Sequence, residues 1–170
     1  IIGQWWRLVT CMFIHGGIMH LLMNMYALIY IGLMLEPILG KSRFLSAYIL
    51  TGIVASITSI AIHAQIVSVG ASGAIFGMFG VYLALLTSNI IPKETRKATL
   101  LNILVYVVLN LANGMKAGID NAAHVGGLIS GIVIGYAYYY SLKYFEWKSI
   151  KYAVISITAF FLLILSIVIL

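Results

Sequence analysis

Charge is what this sequence lacks most. Only 8% of its 170 residues are Asp, Glu, Lys or Arg, against roughly 25% in an ordinary soluble domain. With 63% hydrophobic residues and a mean hydropathy of +1.10, a water-soluble globule is excluded and an integral membrane protein is expected. Cysteine is almost absent too. Cys11 stands alone, which rules out an internal disulfide and any paired-cysteine metal motif, so it reads as a small apolar filler. A His-Glu-x-x-His pattern is missing, and the four histidines have no carboxylate companion at outer depth, which argues against a metalloprotease; no metal or cofactor is expected. The two prolines, Pro37 and Pro92, spare the interiors of the apolar runs. No signal peptide opens the chain; it starts Ile1-Ile2-Gly3-Gln4 without Met, and we expect an N-terminal truncation of a longer protein.

What is present is apolar length. Six stretches are long enough to span a bilayer, which takes roughly 17–25 residues: 18–38, 43–64, 72–91, 98–114, 121–142 and 150–170. Lipid offers no partner to backbone groups, so each should be a helix, and the fold class is all-α, a polytopic membrane helix bundle. The formal net charge of +6 does not point to nucleic acid. Lys41, Arg43, Lys93, Arg96, Lys97, Lys143, Lys148 and Lys151 fall on one face of the six-span topology, and only Arg7 and Lys116 on the other. The first face is cytoplasmic by the positive-inside rule, and the chain is expected in the cell membrane. Tyr136, Tyr138, Tyr139, Tyr140, Tyr144 and Trp147 form an aromatic belt near the inner boundary, while Trp5, Trp6 and Arg7 read as interfacial on the outside.

On that topology the unusual polar residues enter from one side. His20 and Asn24 open the first span, Ser72 the third and His124 the fifth, all within a turn or two of the outer face. Ionisable groups inside a span are functional candidates. Gly70 and Gly73 permit a sharp turn and close backbone approach at Ser72. Small residues at Gly73, Gly77, Gly80 and Ala84 make a packing face on the third span; Gly127, Gly131 and Gly135 make another on the fifth. Packing these stripes together brings His124 beside Ser72 and pairs a nucleophile with a base. No acid completes a triad, since Asp120, one turn before His124, is expected in the loop; a dyad is expected instead. Phe76, four residues after Ser72, is placed to lie under the imidazole, with plain core packing as the other reading. His20 and Asn24, at i and i+4, share a helix face and can donate to an oxyanion with the Ser72 amide. Each feature has a plainer reading: Ser72 as an N-cap, and His20 with Asn24 as interhelical glue. His15 is expected to be structural, His63 has no evident partner, and Glu36 is expected to be buried or paired with Arg43.

Together these residues resemble the rhomboid intramembrane serine proteases. The likeness runs from Trp6-Arg7 through His20-Leu21-Leu22-Met23-Asn24 and Gly70-Ala71-Ser72-Gly73 to Ala123-His124-Val125-Gly126-Gly127 and Gly131. It implies a catalytic dyad of Ser72 and His124, an oxyanion site of His20, Asn24 and the Ser72 amide, and supporting places for Phe76, Gly70, Gly73, Asn121 and Gly127. Asn121 matches an asparagine the family often carries before the histidine, and Phe76 stands where many members have tyrosine. The resemblance divides the chain into an outer interfacial loop (1–17), five of six core helices (18–142), a cytoplasmic linker (143–149) and an extra C-terminal helix (150–170). The first core helix is missing, and a separate segment could supply it. The implied partners are transmembrane protein substrates and the bilayer, with the active site toward the extracellular side and access gated by the 98–114 helix. A non-catalytic relative that binds transmembrane clients is the rival reading. A transporter is a weaker one, since no inverted repeat is found.

Overall fold

A computed structural model describes residues 3–63, 65, 67–114 and 119–144. Those residues form an all-helical bundle. A short turn of helix, α1 (Arg7–Thr10), runs into a 3-10 turn (Cys11–Phe13) and is followed by α2 (Ile18–Leu39), α3 (Lys41–Ile62), α4 (Ser72–Leu86), α5 (Lys93–Asn113) and α6 (Asn121–Lys143). Of these, α2, α3, α5 and α6 are long and apolar enough to cross a membrane. The expected span at 150–170 lies outside the described residues, as does most of the linker before it.

The helix boundaries follow from turn chemistry. Gly40 sits at φ +75, closing α2 and opening α3 in one residue, a conformation that favours glycine. Gly70, at φ +122, makes the turn into α4. Pro92 caps α5, so the charged run Lys93–Lys97 is already helical, five residues earlier than hydropathy places the span. The third expected span is corrected most. Hydropathy extends it over 72–91, but α4 stops at Leu86. There the Ser88 hydroxyl donates to the Leu85 carbonyl at 2.6 Å and accepts from Ile90 N–H at 3.3 Å, competing with the helix for its own backbone. Fifteen residues reach only roughly 22 Å, less than the roughly 30 Å of hydrocarbon.

That shortness is tolerated because α4 is the core. From Gly73 to Leu86 every residue but Leu83 is buried. α6 and α3 pack most extensively on it, and all three helices touch one another. The glycine stripes make this possible. A Cβ on Gly127 would run into the carbonyl of Gly73, one on Gly131 into that of Gly77, and one on Gly80 into that of Leu128. The α4 and α6 backbones are therefore in direct contact. On the α3 side, Thr51 fills the space left by Gly77, and Ala55 that left by Gly73.

The outer helices are attached more lightly. α2 turns Asn24, Ala27, Ile31, Leu35 and Leu39 inward at helical spacing, leaving Ile18, Leu22, Met23, Tyr26 and Leu33 exposed. α5 buries only Ile103 and Val107. Glu36 departs from expectation: it is exposed, and Arg43 turns to the Leu39 carbonyl at 3.4 Å instead. The last turn of α2 places Glu36 on the outside of the bundle.

Candidate active site

Ser72 is the first residue of α4, and Ala71 holds the cap position. Its hydroxyl is thus free of capping, and Oγ lies 2.9 Å from His124 Nε2 across the α4–α6 contact. Phe76, one turn further along α4, stacks on the imidazole with ring centroids 4.2 Å apart and planes 6° apart. His124 is buried, and its other nitrogen, Nδ1, has no hydrogen-bond partner among the described residues. The imidazole is therefore held by a ring face and a hydroxyl, with no carboxylate hydrogen-bonded to Nδ1 among the described residues.

The N-terminus of α4 leaves N–H groups unused. The first bond to return to the cap runs from Ile75 N–H to Ala71 O at 2.9 Å, so the amides of Ser72, Gly73 and Ala74 lack intrahelical partners. They carry the positive end of the helix dipole, which favours an anion beside Ser72. His20 lies against the same turn: a Cβ on Gly70 would fall 2.7 Å from His20 Cε1 and 2.8 Å from Nε2. His20 Nδ1 accepts from Gly16 N–H at 3.3 Å. A neutral ring so held carries its proton on Nε2, the nitrogen beside Gly70, as a donor. Asn24, buried one turn on, gives one of its two amide hydrogens to the His20 carbonyl at 2.8 Å and keeps the other. Gly70 is itself tied down, its N–H donating to the Cys11 carbonyl at 3.0 Å.

All these groups face a cavity of about 740 Å³, lined among others by His20, Asn24, Gly70, Ser72, Phe76 and His124. Tyr106 and Asn110 of α5 contribute one wall. Asn121 also borders it, but its amide is directed at α5, donating to the Leu111 carbonyl at 3.0 Å, with Gly114 packed against it. The structure thus gathers Ser72, His124, Phe76, His20, Asn24, Gly70 and Gly73 around one space, and uses Asn121 to join the end of α5 to the start of α6.

Three residues given little weight in the sequence have defined places. Asp120 is the N-cap of α6, accepting from Ala123 N–H at 3.1 Å and from the Ser59 hydroxyl of α3. An acidic residue directly before an apolar helical run is a readable start signal. Burial would raise its carboxyl, but hydrogen bonds from Ser59, Ser68 and the Ala123 amide, with the His63 ring nearby, outweigh this and hold it below the usual carboxylate value. His63 thereby gains a partner, its Nδ1 lying 3.8 Å from Asp120 Oδ1. His15 sits edge-on to His20, ring centroids 5.2 Å apart.

The family described as Rhomboid domain matches residues 2–141. RHOMBOID-like protein 5 of Arabidopsis thaliana is 39% identical over 136 residues, covering 79% of this chain and 44% of that protein. RHOMBOID-like protein 7 of the same plant is 38% identical over 145 residues, 85% of this chain and 46% of the relative. Rhomboid protease GluP of Bacillus subtilis (strain 168) is 42% identical over 130 residues, 76% of this chain and 25% of that protein. The chain thus spans less than half the length of these relatives.

Proposed function

The chain belongs to the rhomboid family, and from that premise we propose that this integral membrane protein is a serine endopeptidase cutting transmembrane segments of other proteins near the outer face of the cell membrane. The observation that carries the proposal is the 2.9 Å contact between Ser72 Oγ and His124 Nε2, with Phe76 stacked on the imidazole. It is the nucleophile–base geometry that acyl transfer needs.

Each step has a group to perform it. A substrate segment reaches the cavity from the lipid side, past α5, and presents an unwound peptide bond. His124 Nε2 takes the Ser72 proton as Oγ attacks the scissile carbonyl. The oxyanion lies at the dipole-bearing start of α4, taking hydrogen bonds from the Ser72 amide, His20 Nε2–H and the spare Asn24 amide hydrogen. His124 then delivers its proton to the leaving amine, and water attacks the acyl-enzyme by the same route in reverse. Nδ1 lacks a carboxylate partner among the described residues, so ring stacking and the packing of α6 do the orienting that an acid does in a triad.

A fluorophosphonate probe and a reporter transmembrane substrate test this together. The parent chain should take the label and cleave the reporter; Ser72→Ala should do neither, and His124→Ala should lose at least about 1,000-fold in cleavage. Undiminished cleavage by Ser72→Ala would end the proposal, and a parent that binds the reporter without cutting it or taking label would favour a client-binding role.

A further inference from the structure

One turn before the imidazole, a carboxylate makes its described hydrogen bonds to groups other than the ring. The two oxygens of Asp120 are divided between the Ala123 amide of α6 and the Ser59 hydroxyl of α3. Ser68, in the loop leading to α4, borders the same cavity as Asp120. His63, one turn beyond Ser59, lies 3.8 Å away. The Asp120 carbonyl accepts from the backbone N–H of His124 itself at 3.2 Å. Asp120 thus ties the end of α3 to the start of α6. The His124 side chain, by contrast, has no bond at Nδ1 among the described residues. Its attitude depends on Phe76 and on the path of the first turn of α6, and that first turn is anchored by Asp120.

We propose that Asp120 is a positioning residue for the base, clamping the first turn of α6 to the outer end of α3 and so fixing where His124 meets Ser72, without touching the imidazole. This rests on the dyad reading above. The clamp needs an acceptor for the Ala123 amide and a partner for the Ser59 hydroxyl; it does not need a negative charge. Asparagine meets both needs, because its carbonyl can cap the helix and its amide can donate to the Ser59 oxygen. Alanine meets neither. Serine can cap but is too short to bridge to α3.

The experiment uses the full chain in detergent and in proteoliposomes. It reads the rate at which a fluorophosphonate labels Ser72, kcat and KM on a reporter transmembrane substrate, and thermal unfolding. Asp120→Ala should slow labelling and kcat by about tenfold or more with KM little changed, as expected when a reacting group is misplaced by a fraction of an ångström. Asp120→Asn should stay within about threefold of the parent. Ser59→Ala and Asp120→Ser should each fall in the direction of Asp120→Ala, and the Ser59→Ala/Asp120→Ala pair should be no slower than Asp120→Ala alone, since both remove one contact. Where Asp120→Ala does not fold, Ser59→Ala and Asp120→Ser against Asp120→Asn decide the matter. An Asp120→Asn chain as slow as Ser59→Ala or Asp120→Ala would overturn the clamp in favour of a charge acting on the imidazole. Parental labelling by Asp120→Ala or by Ser59→Ala would also overturn it. A parent chain whose Ser72 takes no label at all fails the dyad reading, which is a different result.

Discussion

Replacing Gly131 by alanine puts the α4–α6 contact to the test. The new methyl would lie 2.7 Å from the carbonyl carbon of Gly77 and 2.9 Å from its Cα, with the carbonyl oxygen nearer still. Ordinary contacts begin at 3.4 Å, and the oxygen, the nearest of the three, sets the shift, so the backbones must part by more than about 1 Å. Gly77 has nowhere to retreat, because Thr51 of α3 fills the space on its open side. The shift therefore falls on α6. His124 stands two turns up the same helix, roughly 10 Å away, and rides with it. A rigid displacement of that size lengthens the 2.9 Å Ser72–His124 contact to about 4 Å, beyond hydrogen-bond reach.

We expect Gly131→Ala to lose roughly 10- to 100-fold in kcat/KM on a reporter substrate and about 1–3 kcal/mol in stability from overpacking. Fluorophosphonate labelling and thermal unfolding, run on the same detergent-solubilised sample, separate the two effects. Gly32→Ala is the control, since its methyl would rest 3.5 Å from the tip of the Phe44 ring, an ordinary contact. A folded Gly131→Ala chain that labels at the parental rate would refute the reasoning, for it would mean that glycine-to-backbone contact does not set the distance between nucleophile and base.

Three further outcomes are expected. Gly70→Ala combines a left-handed backbone, φ +122, with a methyl 2.7 Å from His20 Cε1; displacing that donor should lower kcat by about 100- to 1,000-fold with KM nearly unchanged, and parental kcat would remove His20 from the oxyanion site. Phe76→Tyr keeps the ring under His124 and should cleave at close to the parental rate, whereas Phe76→Ala should slow labelling by roughly 2- to 10-fold per folded molecule, the worth of an aromatic pair; equal rates for all three would show the stacking to be incidental. Asp120 has a folded-state carboxyl held below its ordinary value, so the stability it contributes is present above that ordinary value and is lost as pH falls through the folded-state value. Melting temperatures of the parent and Asp120→Asn should converge in acid, and a gap that widens there would contradict the assignment.

The site was legible to the extent that it is written in glycine, serine and histidine. Gly73, Gly77 and Gly80 against Gly127, Gly131 and Gly135 announce a backbone contact by their spacing, because only a missing side chain permits it. Once those stripes are paired, the proximity of Ser72 and His124 follows from their positions on the two helices. Hydropathy was less informative about helix ends. Ile90 and Ile91 continue the apolar run past the point where Ser88 diverts the backbone, and Lys93–Lys97 interrupt apolarity without interrupting α5. Asp120 carried a helix-start signal, but its partners Ser59 and His63 are some sixty residues away in sequence, on another helix. No local pattern announces such a tie. Glu36 could be placed near the inner end of α2 but not on a particular side of it, since one residue turns a side chain by about 100°.

The same difficulty runs through the whole bundle and has one physical source. In water the buried face of a helix is apolar and the exposed face polar, so a moment in the sequence points to the core. Here Ile31 and Leu35, fully buried, lie on the same helix as Ile29 and Leu33, which are 63% and 75% exposed. Nothing in their chemistry says which side meets protein and which meets lipid. What distinguishes the interior is small size and polarity: residues that gain nothing from lipid, yet allow backbones to touch or supply a hydrogen bond. Such residues are frequent on both α4 and α6, and α4, the most buried helix, need not match the bilayer because its neighbours cover it. The features that build the core are therefore the features that build the site. Ser72 is reachable by His124 because the glycines that follow each of them leave no room for anything but contact, and a change that relaxes that packing should be felt at the serine before it is felt in the fold.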